Sequence, residues 1–192
     1  MKKFSKLIAL ALACVMALTV LTGCSVSGTG GKVYGTISSG SADKPNIGGV
    51  EIRQCKVSKT DSYTGEGELI AVTLSVVNNS KAPLEMEHTL AVWTSAILSG
   101  SYDSFFANGS KYFTVAADSK KIAKICAYGI RTSDITSGNP DFENTTLKPG
   151  DGAAVQLVIQ MPKGWKNLNV QWKPSSANGK SVAFHFTPSD VK

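Results

Sequence analysis

Histidine is scarce in this chain, with His88 and His185 the only two. A Ser-His-Asp relay would need the fold to carry one of them to a hydroxyl and an acid, and no Gly-x-Ser-x-Gly elbow offers that hydroxyl. His185 also falls on the outward face of an alternating run, the ordinary place for a solvated side chain. Arginine is as rare, at Arg53 and Arg131, and the lysines stand dispersed, so no nucleic-acid surface is expected. The acids gather only in Asp134, Asp141 and Glu143, with Asn139 and Asn144 among them. Hard cations want several oxygens close together, but this spacing is not that of an EF-hand loop and reads as a hydrated loop. The pairs Glu66 with Glu68 and Glu85 with Glu87 read as solvated strand faces. No enzyme, no metal and no cofactor is expected. Sustained helical periodicity is missing, and the one long apolar run, Leu7 to Val20, has 14 residues. A spanning helix wants about 20.

That run belongs to a leader. Lys2, Lys3 and Lys6 precede it, and Leu21-Thr22-Gly23-Cys24 follows it, placing a small residue immediately ahead of a thiol. The arrangement resembles the lipobox of bacterial lipoproteins. The resemblance implies a signal peptide over 1–23, diacylglycerol and a fatty acyl chain such as palmitate on Cys24, and a place on the extracytoplasmic face of the cell membrane. Two or three acyl chains would hold the protein there durably, since burying each methylene contributes about 0.8 kcal/mol. Loss of residues 1–23 takes away those three lysines and no acid, lowering the net charge from +6 to +3.

Residues 24–48 are rich in Gly, Ser and Thr and read as a flexible, lipid-anchored tether, with Lys32 to Ser38 able to dock as an edge strand. From residue 49 to 192 short β-branched and aromatic runs are broken by Gly, Pro, Asn and Asp, the pattern of one all-β domain. Leu69 to Asn78 puts Ile70, Val72, Leu74 and Val76 on one face. Val155, Leu157, Ile159 and Met161 repeat the pattern, as do Leu168, Val170 and Trp172, and then Val182, Phe184 and Phe186. His88 to Leu98 reads as a strand with a helical turn near Ser95, Ile122 to Ile130 as a strand, and Thr132 to Thr146 as a loop. Asn108-Gly109 fits a type I′ turn, predicting a hairpin over Ser104 to Val115 with Phe105 opposite Tyr112 and Phe106 diagonal to Phe113.

A strand ending in Asn-Asn-Ser-Lys-Ala-Pro, an Asn-Gly-Ser-Lys-Tyr turn, and Leu-Lys-Pro-Gly-Asp opening a strand that closes on Met-Pro together resemble the telokin-like, immunoglobulin-fold domain of many Gram-positive lipoproteins. The likeness spans about residues 50 to 187 and implies an immunoglobulin-like antiparallel β-sandwich without catalytic residues. The chain departs from the pattern in a longer path from His88 to Asp103 and a polar insertion around 132–146.

Two features bear on function. Cys55 and Cys126, on different strands, either form a disulfide closing a loop of about 70 residues, stabilising by roughly 4 kcal/mol, or stay as buried thiols. A two-layer sandwich buries one face of a hairpin, so either Phe105 with Tyr112 or Phe106 with Phe113 stands near the surface to bind a partner, unless the segment from His88 to Asp103 folds over them as a satellite core. The expectation is a membrane-anchored module binding an envelope protein or a wall-associated ligand. The alternative is an inhibitor or accessory subunit of an envelope enzyme or transport complex. A concave polar pocket would favour a small ligand, and a flat aromatic patch a protein.

Overall fold

The computed structural model describes residues 32–35, 46–60, 67–89, 102–137 and 146–191. Residues 1–24, which hold the expected leader and Cys24, lie outside these residues, as do Glu66, most of the segment from His88 to Leu98, and Asn139, Asp141, Glu143 and Asn144. The described strands are β1 (Lys32–Gly35), β2 (Asn46–Ile47), β3 (Val50–Lys59), β4 (Glu68–Asn78), β5 (Leu84–Glu85), β6 (His88–Thr89) and β7 (Phe113–Ala117). They continue with β8 (Lys120–Lys121), β9 (Ile125–Arg131), β10 (Thr146–Leu147), β11 (Gly152–Met161), β12 (Leu168–Trp172) and β13 (Val182–Phe186). Two short helices, α1 (Tyr102–Ala107) and α2 (Thr132–Ser137), interrupt them.

The strands form an all-β sandwich. One sheet runs β1-β13-β12-β7-β8 and the other β2-β3-β4-β11-β9-β6, with β5 and β10 paired apart. The parallel pairing of β6 with β9 stands out among antiparallel ones. Period-2 alternation dictates the layers, because successive side chains point to opposite faces. Phe113, Val115, Leu168, Val170, Trp172, Val182, Phe184 and Phe186 from the first sheet meet Ile52, Val57, Ile70, Val72, Leu74, Val76, Val155, Leu157 and Ile159 from the second in one core. Each large apolar side chain so buried contributes roughly 1.5–3 kcal/mol. The alternating strands read from sequence are all present.

Several local expectations are corrected. Asn108-Gly109 does not turn a hairpin; it stops α1. The N–H groups of Asn108 and Gly109 donate to the carbonyls of Phe105 and Phe106, and the Asn108 amide donates to Ser104 O at 2.9 Å. Gly109 takes φ +64, the left-handed conformation a helix needs at its first residue beyond the end. A two-residue turn with both φ positive does lie further on, at Asp118 (47°) and Ser119 (66°), joining β7 to β8. The strand read from Ile122 begins only at Ile125, and Thr132–Ser137 of the expected loop is helical. β1 docks as an edge strand on β13, as the sequence allows, and Asn46–Ile47 pairs with Val50 and Glu51, so the sandwich also recruits residues assigned to the tether.

Candidate functional site

The aromatics read as a binding surface are in the interior. α1 lies over the outer face of the six-stranded sheet, where Phe105 and Phe106 pack with Leu69, Cys126, Tyr128 and Val158 as a second core. Phe105 is fully buried and its ring sits 5.4 Å from that of Phe106. Phe113 points into the inter-sheet core against Trp172, and Tyr112 is half-buried beside it. The four residues therefore share no exposed patch, because a helix rather than a hairpin presents the first two. A second core on the outer sheet face thus takes up Phe105 and Phe106, while most of the segment from His88 to Asp103, which the sequence left open to cover them, lies outside the described residues.

Cys55 and Cys126 do not bridge. Cys55 belongs to the inter-sheet core and Cys126 to the opposite face of the same sheet. β4 and β11 lie between their strands, three spacings or about 14 Å apart, whereas bridged cysteines need Cα atoms within about 7 Å. Burial pushes the Cys55 thiol up, and burial with the Glu87 carboxylate pushes Cys126 up to about 12, so both are unreactive in the closed fold.

Glu87 departs from the solvated face expected of it. It is buried, and its carboxylate accepts from Ser110 Oγ at 2.7 Å, Lys111 N at 2.8 Å and Tyr112 N at 2.7 Å, tying the stretch after α1 to β6. Desolvation raises its pKa against the pull of these hydrogen bonds. Glu85 is exposed and takes hydrogen bonds from Tyr112 Oη at 2.9 Å and Lys111 Nζ at 3.1 Å, which lower its pKa. Near them His88 Nε2 lies 2.9 Å from the Asn108 carbonyl. The Ser110 hydroxyl is aimed at a carboxylate and accepts from Phe113 N, so this cluster has the bonding of a structural latch. His185 is exposed on β13. Asp134 is held by Arg131 through two contacts of 2.7 Å, which commits its carboxylate to a guanidinium. Among the described residues no group of three or more His, Cys, Asp or Glu is placed to hold a metal ion, and no helix is long and apolar enough to cross a membrane.

A concave site does exist, at one end of the sandwich. It is an open groove of about 870 Å³ where two connections cross between the sheets. One is Ile122-Ala123-Lys124, leading from β8 to β9; the other, Pro162 to Trp165, leads from β11 to β12. Its floor is apolar, with Met161, Trp165 and Ala117 buried and Ile122 half-buried against the core. Its rim carries Lys120, Lys121, Lys124 and Lys163, with one acid, Asp118.

Local chemistry fixes this geometry. The Asp118 carboxylate accepts from the Lys166 N–H at 3.2 Å and the Asn167 N–H at 2.9 Å, and its own N–H donates to Asn167 O. These bonds clamp the β7–β8 turn to the second connection. Gln160 N donates to Lys124 O at 3.0 Å, holding the first connection against β11. Gly67 packs so closely on the end of β11 that an added Cβ would sit 2.3 Å from Met161 O. Lys124 reaches Asp103 at 3.4 Å, while Lys120, Lys121 and Lys163 make no ion pair among the described residues. A rim of lysines around an apolar floor suits an anion bearing an apolar portion.

The spacing Lys120-Lys121-x-x-Lys124 was visible in the sequence as the densest basic stretch after residue 23. Taken singly those lysines look like a solvated surface. Only the crossing of Lys163 beside them makes a site. Comparison with models of known protein families, with curated proteins and with solved structures gave no match for this chain.

Proposed function

We propose that the chain is an extracytoplasmic lipoprotein, anchored to the cell membrane through Cys24, whose immunoglobulin-like sandwich of the telokin-like kind binds an anionic ligand of the cell envelope. The observation that carries the reading is the end groove: Lys120, Lys121, Lys124 and Lys163 around a floor of Trp165 and Met161. Its volume falls within the range of small-molecule sites, about 300–1,000 Å³. Interior placement of Phe105, Phe106 and Phe113 removes the aromatic surface that favoured a protein partner.

Titration with monomeric lysophosphatidylglycerol, followed by calorimetry, tests the groove. Binding is expected for this anionic lipid and not for lysophosphatidylcholine, and it should disappear when all four rim lysines are changed to Gln. Equal affinity for both lipids, or an unaltered response in that variant, would reject the site. Metabolic labelling with a fatty-acid analogue tests the anchor: Cys24→Ala should lose the label, and a variant that still labels refutes the assignment.

A further inference from the structure

We infer that the lysine-rimmed end of the sandwich lies against the membrane that anchors it, and that the groove's occupant is an acidic phospholipid headgroup of that bilayer. The inference rests on the anchored, anion-binding reading above and adds which anion and which orientation.

Register supplies the first argument. Lys32 pairs with His185, His185 with Asn169, Asn169 with Ala116, and Ala116 with Lys121. The first described residue of β1 thus stands on the same cross-strand row as a lysine of the groove rim. β1 runs from that row towards the opposite end, so its N-terminal residue, Lys32, lies at the groove end. Reach supplies the second. Eight residue steps separate Cys24 from Lys32, at most about 27 Å of extended chain. Four strand spacings, about 19 Å, span the sheet from β1 to β8. An anchor at Cys24 therefore keeps the rim within a few nanometres of the headgroups.

Charge supplies the third. Lys59 and Lys166 join the four rim lysines at this end, against Glu68, Asp103, Asp118 and Asp190. Asp118 and Asp190 are already bound to backbone N–H groups, of Lys166 and Asn167 and of Thr187. Basic groups held near an anionic leaflet are attracted within about a Debye length. Half-buried Ile122 beneath the rim, beside Trp165, gives the glycerol and first methylenes of a lipid an apolar seat.

The test uses the acylated full chain, reconstituted by its own anchor into vesicles of phosphatidylglycerol or of phosphatidylcholine. A water-soluble acetylating reagent then reports each lysine by mass spectrometry. Lys120, Lys121, Lys124 and Lys163 should react at least about five-fold more slowly on phosphatidylglycerol, and the difference should vanish in 0.5 M salt, where screening shortens to about 4 Å. Lys148, Lys173 and Lys180, exposed at the opposite end, should react equally on both. Equal rates at the rim on the two lipids overturn the inference. If rim rates are equal while lysophosphatidylglycerol still binds, only the membrane assignment falls. Protection by added poly(glycerol phosphate) in place of the vesicles would make the occupant a wall polymer and likewise overturn it. If neither vesicles nor the monomeric lipid is bound, the anion-binding reading falls as well.

Discussion

Phe105→Ala probes whether α1 is a cover that can lift by itself. Phe105 is fully buried in a cluster of six residues between α1 and the outer face of β4, β9 and β11. Phe→Ala in a core costs about 3–5 kcal/mol, and a six-residue helix has little internal stability to offset the loss. At about 3 kcal/mol the lifted state becomes roughly 150-fold more populated. Cys126 lies beneath the helix, and its thiol, held up at about 12 while closed, regains ordinary reactivity once exposed. Alkylation by iodoacetamide at pH 8, mapped peptide by peptide, should therefore accelerate on the order of 100-fold at Cys126. Cys55 sits between the sheets and serves as the internal reference, because reaching it requires opening the sandwich itself. Its rate should rise far less. Equal acceleration of both thiols, or a rise below about five-fold at Cys126, would refute the idea of a separately lifting helix.

Gly67→Ala should lower stability by about 2–3 kcal/mol, combining strain at φ +97 with the 2.3 Å approach to Met161 O, while Gly164→Ala, at φ +72 in open space, should cost about 1 kcal/mol; urea melts compare them, and equal losses would contradict the packing argument. For Glu87 the folded pKa is raised above 4.5, so the protonated form is the one favoured by folding, and its stabilisation is full below that value and fades as pH rises through the raised one. Glu87→Gln should thus trail the wild type most near pH 4 and least near pH 7. Melting temperatures across that range decide it, and a gap that widens towards neutrality would reverse the assigned sign.

The layers of the sandwich were legible because alternation is a direct image of burial. Val182, Phe184 and Phe186, or Leu168, Val170 and Trp172, need no tertiary information to be placed. The broken alternation around Gln54 was also real: it is a bulge between Ile52 and Gln54 in the pairing with β4, and it lets both Ile52 and Cys55 face the core. What failed was local chemistry with two solutions. Asn-Gly accepts the positive φ of a hairpin turn and equally that of a helix stop, and the choice was made by an outer sheet face of Leu69, Cys126 and Val158 that needed covering. Glu87 looked solvated because its three donors lie more than twenty residues downstream. The groove was hidden for a related reason. Its lysines come from two connections that meet only after both sheets have formed.

The pairing of the first described strand with the last gives the fold a property of length. β1 is an edge strand of four residues held on one side by β13. Peeling it away would leave the rest of the five-stranded sheet, β13-β12-β7-β8, still paired, and the next described strand, β2, begins only at Asn46. Fourteen residue steps separate Lys32 from Asn46, as much as about 48 Å of extended chain. Under the proposed anchoring at Cys24, that one short ladder of hydrogen bonds would set how far the domain can stand from the bilayer.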